Sequence, residues 1–224
     1  LIDAFLPISA FSAKFLPPIE RMQVIYGGVQ EKFIQDQTET EREKKVLYVG
    51  RIMPHKGINY LIEAVDGNIS LEIIGRIYNK KFFSLLQKLA KGKRVTFINN
   101  ANDDDIIKSY KSSLVTVLPS VYVDVYSTQH PVSELLGLVL LESMACRTPV
   151  ICTDVGGMPE IVRDGITGFV VPPNNPGAIR ERINWLLDNP EKAYQMGQQA
   201  RNQVLKEFTW DSIAERCLEA YGQV

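Results

Sequence analysis

The sequence predicts an α/β chain organised around a doubly wound parallel sheet. Six short apolar runs lack polar alternation, helix-length segments separate them, and 224 residues with 45% hydrophobic content can bury a sizeable core. The runs are VLYVG at 46–50, LEIIG at 71–75, RVTFI at 94–98, LVTVLP at 114–119, PVICTD at 149–154 and GFVVPP at 168–173. Strands apolar on both sides require helices on both faces of the sheet. Right-handed crossovers then gather the loops that follow each strand along one edge. Such folds bind ligands at that edge, so the residues just past each run are the candidates.

Ahead of Val46 the pattern changes. FLPIS at 5–9 reads as a strand, residues 10–21 as a helix, MQVIY at 22–26 as a second strand and Gly27-Gly28 as a turn. The polar stretch QEKFIQDQTETEREKK at 30–45 reads either as a linker or as a solvated surface helix. Beyond Pro176 come three helical patterns, the last in TWDSIAERCLEAYGQV. No repeat or low-complexity tract is present.

With 25 basic against 26 acidic residues the chain has a formal net charge of -1, which leaves no electrostatic footprint for nucleic acid or an anionic membrane. No apolar run approaches the roughly 20 residues of a spanning helix, and no signal-peptide pattern opens the chain. Cys146, Cys152 and Cys217 are odd in number and lack CxxC spacing, as expected of reduced core thiols in a cytosolic protein. The chain opens on Leu1 and runs straight into an apolar stretch, as a piece of a longer protein would.

The densest signal lies in PVSELLGLVLLESMACRTPVICTDVGG at 131–157. From Gly137 through Cys146 only Glu142 and Ser143 are polar, so the helix starting there is buried on most sides. An ionised carboxylate at Glu142 then needs a partner, and a hydroxyl-rich ligand would supply one. Arg51 and Lys56, in GRIMPHKG, follow the first main strand and lead into a helix. Two cations beside helix N–H groups make a seat for a diphosphate, or else a surface pair on a loop. The spacing is neither a P-loop nor GxGxxG.

Gly75 and Asn99 end two further strands at the same edge. Glycine there admits a ligand to the backbone, or simply ends the strand. Asp103-Asp104-Asp105 reads as the acidic first turn of a helix capped by Asn102 or Asp103, and no metal is assigned to it. His55 and His130, in different loops and without ligand spacing, read as solvent-exposed. Gly156-Gly157 before MPEIV marks a tight turn into a short helix, with or without ligand contact.

The ordered set GRIMPHKG, LEIIG, VTFIN, LPS, SELLGLVLLESMACRTPVICTDVGGMPEIV and DGITGFVVPP closely resembles the C-terminal, nucleotide-sugar-binding half of a large retaining glycosyltransferase family. That family is typified by sucrose synthases and bacterial mannosyl- and glucosyltransferases, and the resemblance covers about residues 20–215. It implies one Rossmann-like half of the GT-B architecture. By the same resemblance Arg51 and Lys56 contact the diphosphate, Glu142 binds the ribose hydroxyls, and Glu134 faces the donor sugar. Gly137, Leu138 and Val139 turn their backbone toward the phosphates, and Gly75 and Asn99 lie on the nucleotide side.

Three departures stand out. The link between LPS and Glu134 is expanded to VYVDVYSTQHPV, lengthening the loop beside the donor-sugar site. Arg76-Ile77-Tyr78 follows Gly75 where a second glycine is common. VIYGGV stands where the family has a strand ending in Asn-Gly-Val.

On that basis residues 1–35 correspond to the tail of an acceptor-binding domain and the interdomain strand. Residues 36–45 form a linker, 46–209 the nucleotide-sugar domain, and 210–224 a helix returning toward the missing domain. The implied reaction moves a sugar, with retention, from a UDP-, GDP- or ADP-sugar to a glycan, lipid-linked or small-molecule acceptor, without a required metal. The implied setting is cytoplasmic, with any membrane association made through the missing domain. These residues alone are expected to be inactive, because a two-substrate reaction needs both partners in one cleft. The competing expectations are a nucleotide-binding module without activity and a nucleotide-sugar epimerase of the same architecture.

Overall fold

A computed structural model describes residues 4–18, 21–35, 38 and 40–222. All six expected strands form: β1 Glu43–Val49, β2 Ser70–Ile74, β3 Val95–Ile98, β4 Ser113–Leu118, β5 Val150–Thr153 and β6 Gly168–Val171. They make one sheet in the order β3-β2-β1-β4-β5-β6, with every neighbouring pair parallel. β4 is buried along its whole length, as are Val46, Leu47 and Tyr48 of β1, which is why these segments carry no polar alternation.

The helices are α1 Ala10–Ala13, α2 Lys32–Gln35, α3 Ile58–Ala64, α4 Lys80–Leu89, α5 Asp103–Ser112, α6 Leu138–Ala145, α7 Met158–Ile161, α8 Pro176–Asp188, α9 Pro190–Glu207 and α10 Trp210–Gly222. From β1 the chain steps outward to β2 and β3, and from β4 it steps the opposite way to β5 and β6. With crossovers of one hand, this reversal places α3 and α4 on one face and α6 and α7 on the other. α3 packs on α4 and α8, and α6 packs on α9 and α2. α5 opens with the expected cap: Asp105 N–H donates to Asn102 Oδ1 at 2.9 Å, and Asn102 N–H donates back to Asp105 Oδ2 at 3.1 Å.

The N-terminal segment departs from expectation. The helix expected over 10–21 is α1 alone; it gives way to a turn at Lys14 and Phe15, and Pro17-Pro18 has no N–H with which to continue a helix. Ile19 and Glu20 of that span lie outside the described residues. The two strand-like runs pair in parallel without forming a regular strand: an isolated bridge joins Phe5 and Met22, and Ile25 N–H donates to Pro7 O at 2.9 Å. α1 is held to the main domain by Glu160 of α7, whose carboxylate accepts from Ala10 N–H at 2.7 Å and Phe11 N–H at 2.8 Å. β1 begins at Glu43, inside the stretch read as a linker, of which Asp36, Gln37 and Glu39 lie outside the described residues. The start of α10 returns to Gly28, where an added Cβ would lie 2.7 Å from the Trp210 indole, while Val29 N–H donates to Phe208 O at 2.8 Å.

Gly156 locks the turn after β5 against the segment that carries Glu134. Its φ is +64°, and an added Cβ would sit 1.7 Å from Glu134 O. Gly92 has a similar φ of +77° but open space around it. Gly92→Ala is therefore expected to cost only the left-handed strain, about 1–2 kcal/mol. Gly156→Ala adds a backbone collision and should cost clearly more, as measured by urea denaturation of the two variants; equal costs would show that the turn relaxes freely.

Candidate functional site

The site lies where the strand order reverses, between the loops after β1 and β4. Past Gly50 the chain is curled by Tyr48, whose buried Oη donates to Arg51 O at 2.8 Å. Arg51 is exposed, whereas Lys56 closes a short 3-10 turn at Pro54–Lys56 and is buried. Lys56 Nζ meets Glu134 Oε2 at 2.5 Å, and Ser120 Oγ donates to the same oxygen at 3.4 Å. Burial, with the nearby Glu134 charge adding to it, holds the Tyr48 hydroxyl well above the usual phenol range, so it remains a donor.

A cleft of about 370 Å³ is lined by Arg51, Lys56, Glu134, Gly137, Leu138 and Val139, among others. A second cleft of about 570 Å³ shares Gly50 and Arg51 with it and continues past Gly75, Tyr78 and Asn99. The two form one groove along the strand ends. Gly75 is required by close packing, because an added Cβ would lie 1.7 Å from Gly50 O. The Arg76-Ile77-Tyr78 segment continues the sheet edge: Ile52 N–H donates to Arg76 O at 2.9 Å, and Tyr78 N–H donates to Ile52 O at 3.3 Å.

Gly137 caps α6 without a side-chain hydrogen bond, and Gly137, Leu138 and Val139 at the start of the helix line the cleft. Glu142 stands four residues beyond Leu138 and three beyond Val139, deeper along the helix and not among the residues that line either cleft. Its partner in the folded chain is Tyr110 of α5, whose Oη donates to Glu142 Oε2 at 3.0 Å. Burial nonetheless outweighs this bond and pushes the Glu142 carboxyl up to about 7. Ser143, the other polar residue of this helix, donates to Thr116 Oγ1 in β4 at 2.8 Å.

The expectation of solvent-exposed histidines is overturned. His55 is buried, and its ring lies 4.9 Å from that of His130. Burial, then the charge of Lys56, drives the His55 imidazole down to about 4, so it is neutral at pH 7. The 120–133 segment contributes to this burial, folding into a hairpin over the loop carrying Lys56. Val123 bridges Gln129 antiparallel, and His130 N–H donates to Tyr122 O at 2.7 Å. Asp124 was not singled out in the sequence, although an aspartate four residues before a threonine in a polar turn is a usable signal. One of its oxygens accepts from Tyr126 N–H and Thr128 N–H, and the other meets His130 Nε2 at 2.8 Å. Tyr110 carried no signal, being one more aromatic on a helix. Cys146 and Cys152 are free and buried and Cys217 is free, and the described residues contain no group of three metal-ligating side chains and no helix long and apolar enough to cross a membrane.

A six-stranded parallel sheet with helices on both faces and a groove at its reversal point defines a Rossmann-like domain. The glycosyl transferases group 1 family matches residues 29–203, and the chain belongs to that family. It is 31% identical over 226 residues to an uncharacterized glycosyltransferase of Methanocaldococcus jannaschii, covering 92% of this chain and 55% of that protein. Sucrose-phosphate synthase from Thermosynechococcus elongatus superposes with a TM-score of 0.79 at 28% identity, over 99% of this chain and 58% of the synthase. Anabaena HepE, solved in complex with UDP and glucose, superposes with a TM-score of 0.82 at 20% identity, over 99% of this chain and 64% of HepE. The fold is the C-terminal, Rossmann-like half of the GT-B architecture, and the chain spans about half the length of the curated relatives it matches.

Glu142 ties stability to pH. Its folded carboxyl binds a proton more tightly than the unfolded one, whose ordinary value is 4.5, so the folded state is favoured most below that value. Stability then falls as pH rises through about 7 and is level above it, a loss on the order of 3 kcal/mol. Glu142→Gln is expected to remove this fall and raise the melting temperature at pH 8 relative to the parent. Melting curves from pH 4 to pH 9 on both proteins check it, and parallel curves would contradict the burial of the charge.

Proposed function

We propose that this chain is the donor-binding domain of a retaining glycosyltransferase, holding a nucleoside-diphosphate sugar in the groove at the β1 and β4 strand ends. The observation that carries the proposal is the Lys56–Glu134 contact beside Arg51 and the start of α6, at the point where the strand order reverses. The UDP and glucose held by HepE support the same donor class here.

Sugar transfer breaks the bond from the anomeric carbon to the diphosphate and leaves negative charge on the departing oxygens. Arg51, Lys56 and the first amides of α6 are fixed donors for that charge, so no metal ion is needed to neutralise it. Glu134 faces the sugar, orienting its hydroxyls on the side where positive character develops. In the free chain Lys56 and Glu134 satisfy each other. An ammonium has three N–H donors, so Lys56 can keep Glu134 and still reach a phosphate oxygen, linking sugar and leaving group. Glu142 accepts from the ribose hydroxyls, a role supported by a desolvated carboxylate that has one hydrogen-bond donor in Tyr110. Transfer belongs to the whole enzyme, with a glycan, lipid-linked or small-molecule acceptor brought by a second domain; the chain by itself binds donor and does not turn over.

Calorimetry with UDP, GDP and ADP tests this. Arg51→Ala and Lys56→Ala are each expected to lower affinity for the preferred diphosphate by roughly 10- to 150-fold, with little change for the nucleoside and no effect of chelator. Glu134→Gln should strengthen diphosphate binding by releasing Lys56, while erasing any gain from the attached sugar. Equal loss of nucleoside and diphosphate in the two cation variants would move the diphosphate seat elsewhere.

A further inference from the structure

The 120–133 hairpin is hydrogen-bonded to the loop that carries Lys56. Val121 N–H donates to His55 O at 2.8 Å as the hairpin leaves β4, and Ser133 Oγ donates to the same carbonyl at 3.4 Å as it returns. The residue after that carbonyl is Lys56, and the residue after Ser133 is Glu134. Lys56 is thus one peptide from that carbonyl, and Glu134 one peptide from a residue hydrogen-bonded to it. Inside the hairpin, Asp124 is almost wholly covered, its side chain 3% exposed, and the three hydrogen bonds of that side chain are internal to the loop. The bond to His130 fixes the plane of a ring that in turn packs on the His55 ring. Among the described residues His55 Nδ1 is buried and without a hydrogen-bond partner, so that nitrogen does nothing to fix the ring and the packing of His130 matters more. The outer strand of the hairpin is tied down as well: Asn174 donates to Val123 O at 3.1 Å, and Tyr122 Oη accepts from Gly156 N–H at 2.8 Å.

We propose that Asp124 and His130 are positioning residues for the donor sugar. They hold the hairpin against His55, and His55 sets the distance between Lys56 and Glu134. Neither residue lines either cleft, so their influence reaches a bound ligand through the ion pair. This rests on the proposed donor-binding function, in which Glu134 faces the sugar. A loop that merely filled space would stabilise the domain uniformly. A loop that sets one ion pair should lower the increment of affinity contributed by the sugar without weakening the nucleotide increment, since loosening the pair frees Lys56 for the diphosphate.

The test is calorimetry on the 224-residue chain with UDP, GDP and ADP and with UDP-glucose, UDP-N-acetylglucosamine, GDP-mannose and ADP-glucose, alongside melting temperatures. For the parent, the ratio of sugar-nucleotide to nucleotide affinity defines the sugar increment. His130→Ala is expected to lower that ratio by about fivefold or more while nucleotide affinity stays level or rises. His130→Gln, whose amide still reaches Asp124, should recover much of the ratio. Asp124→Asn keeps the shape of the turn and carries the same test if His130→Ala does not fold. An unchanged ratio, or an equal loss for nucleotide and sugar nucleotide, overturns the positioning role. If the parent chain binds no sugar nucleotide, the donor-binding reading fails and this one with it, a failure seen in the parent and not in the variants.

Discussion

Everything at the candidate site depends on β1 and β4 lying side by side. Val46 pairs with Val115 and Leu47 with Thr116 in the centre of the sheet, where both strands are buried. Because the chain winds outward in opposite directions from this pair, no crossover helix closes over their common end. The loops after β1 and β4 diverge and leave a groove. Lys56 arrives from one side and Glu134 from the other, and their contact spans it.

That contact is expensive to build. Taking an ammonium and a carboxylate out of water costs several kcal/mol per ion, and their attraction offsets this only with good geometry and further hydrogen bonds. Ser120 supplies one such bond, and the hairpin supplies the geometry. Behind the groove, α6 is fixed so that its amides keep their direction. Ser143 is bonded to β4, and the buried Arg201 guanidinium donates to Ala145 O at the carbonyl end of the helix and to Ile34 O at 2.7 Å. A cation at that end also complements the helix dipole.

Unfavourable local terms collect along this edge. Glu142 is held as a half-buried acid with a raised pKa, His55 as a buried neutral imidazole, and Gly75 and Gly156 sit where any side chain would strike a carbonyl. Such terms are tolerated where the surrounding packing over-determines them, and in a folded domain they concentrate at sites that bind. The large apolar core supplies that packing: Tyr48, Tyr110, Phe82 and Phe208 are all buried.

The six strands, α6 and the three C-terminal helices were legible in the sequence, because burial on both faces writes a strand as an unbroken apolar run and an amphipathic helix writes its own period. Arg51, Lys56, Glu134 and Gly137 were legible as positions just past strands or at a helix start, and the structure brings them to one cleft. The order of strands was not legible, nor was the partner of any buried polar group. Nothing in DDDIIKSYKS marks Tyr110 as the donor to Glu142, which lies 32 residues further along the chain. Nothing in GRIMPHKG marks His55 as buried, since the hairpin that covers it comes from beyond β4. Periodicity is a property of neighbours in sequence, set by the pitch of the backbone. Which side chains meet across the groove is decided by crossovers that bring distant loops to one edge, and only the folded sheet determines that.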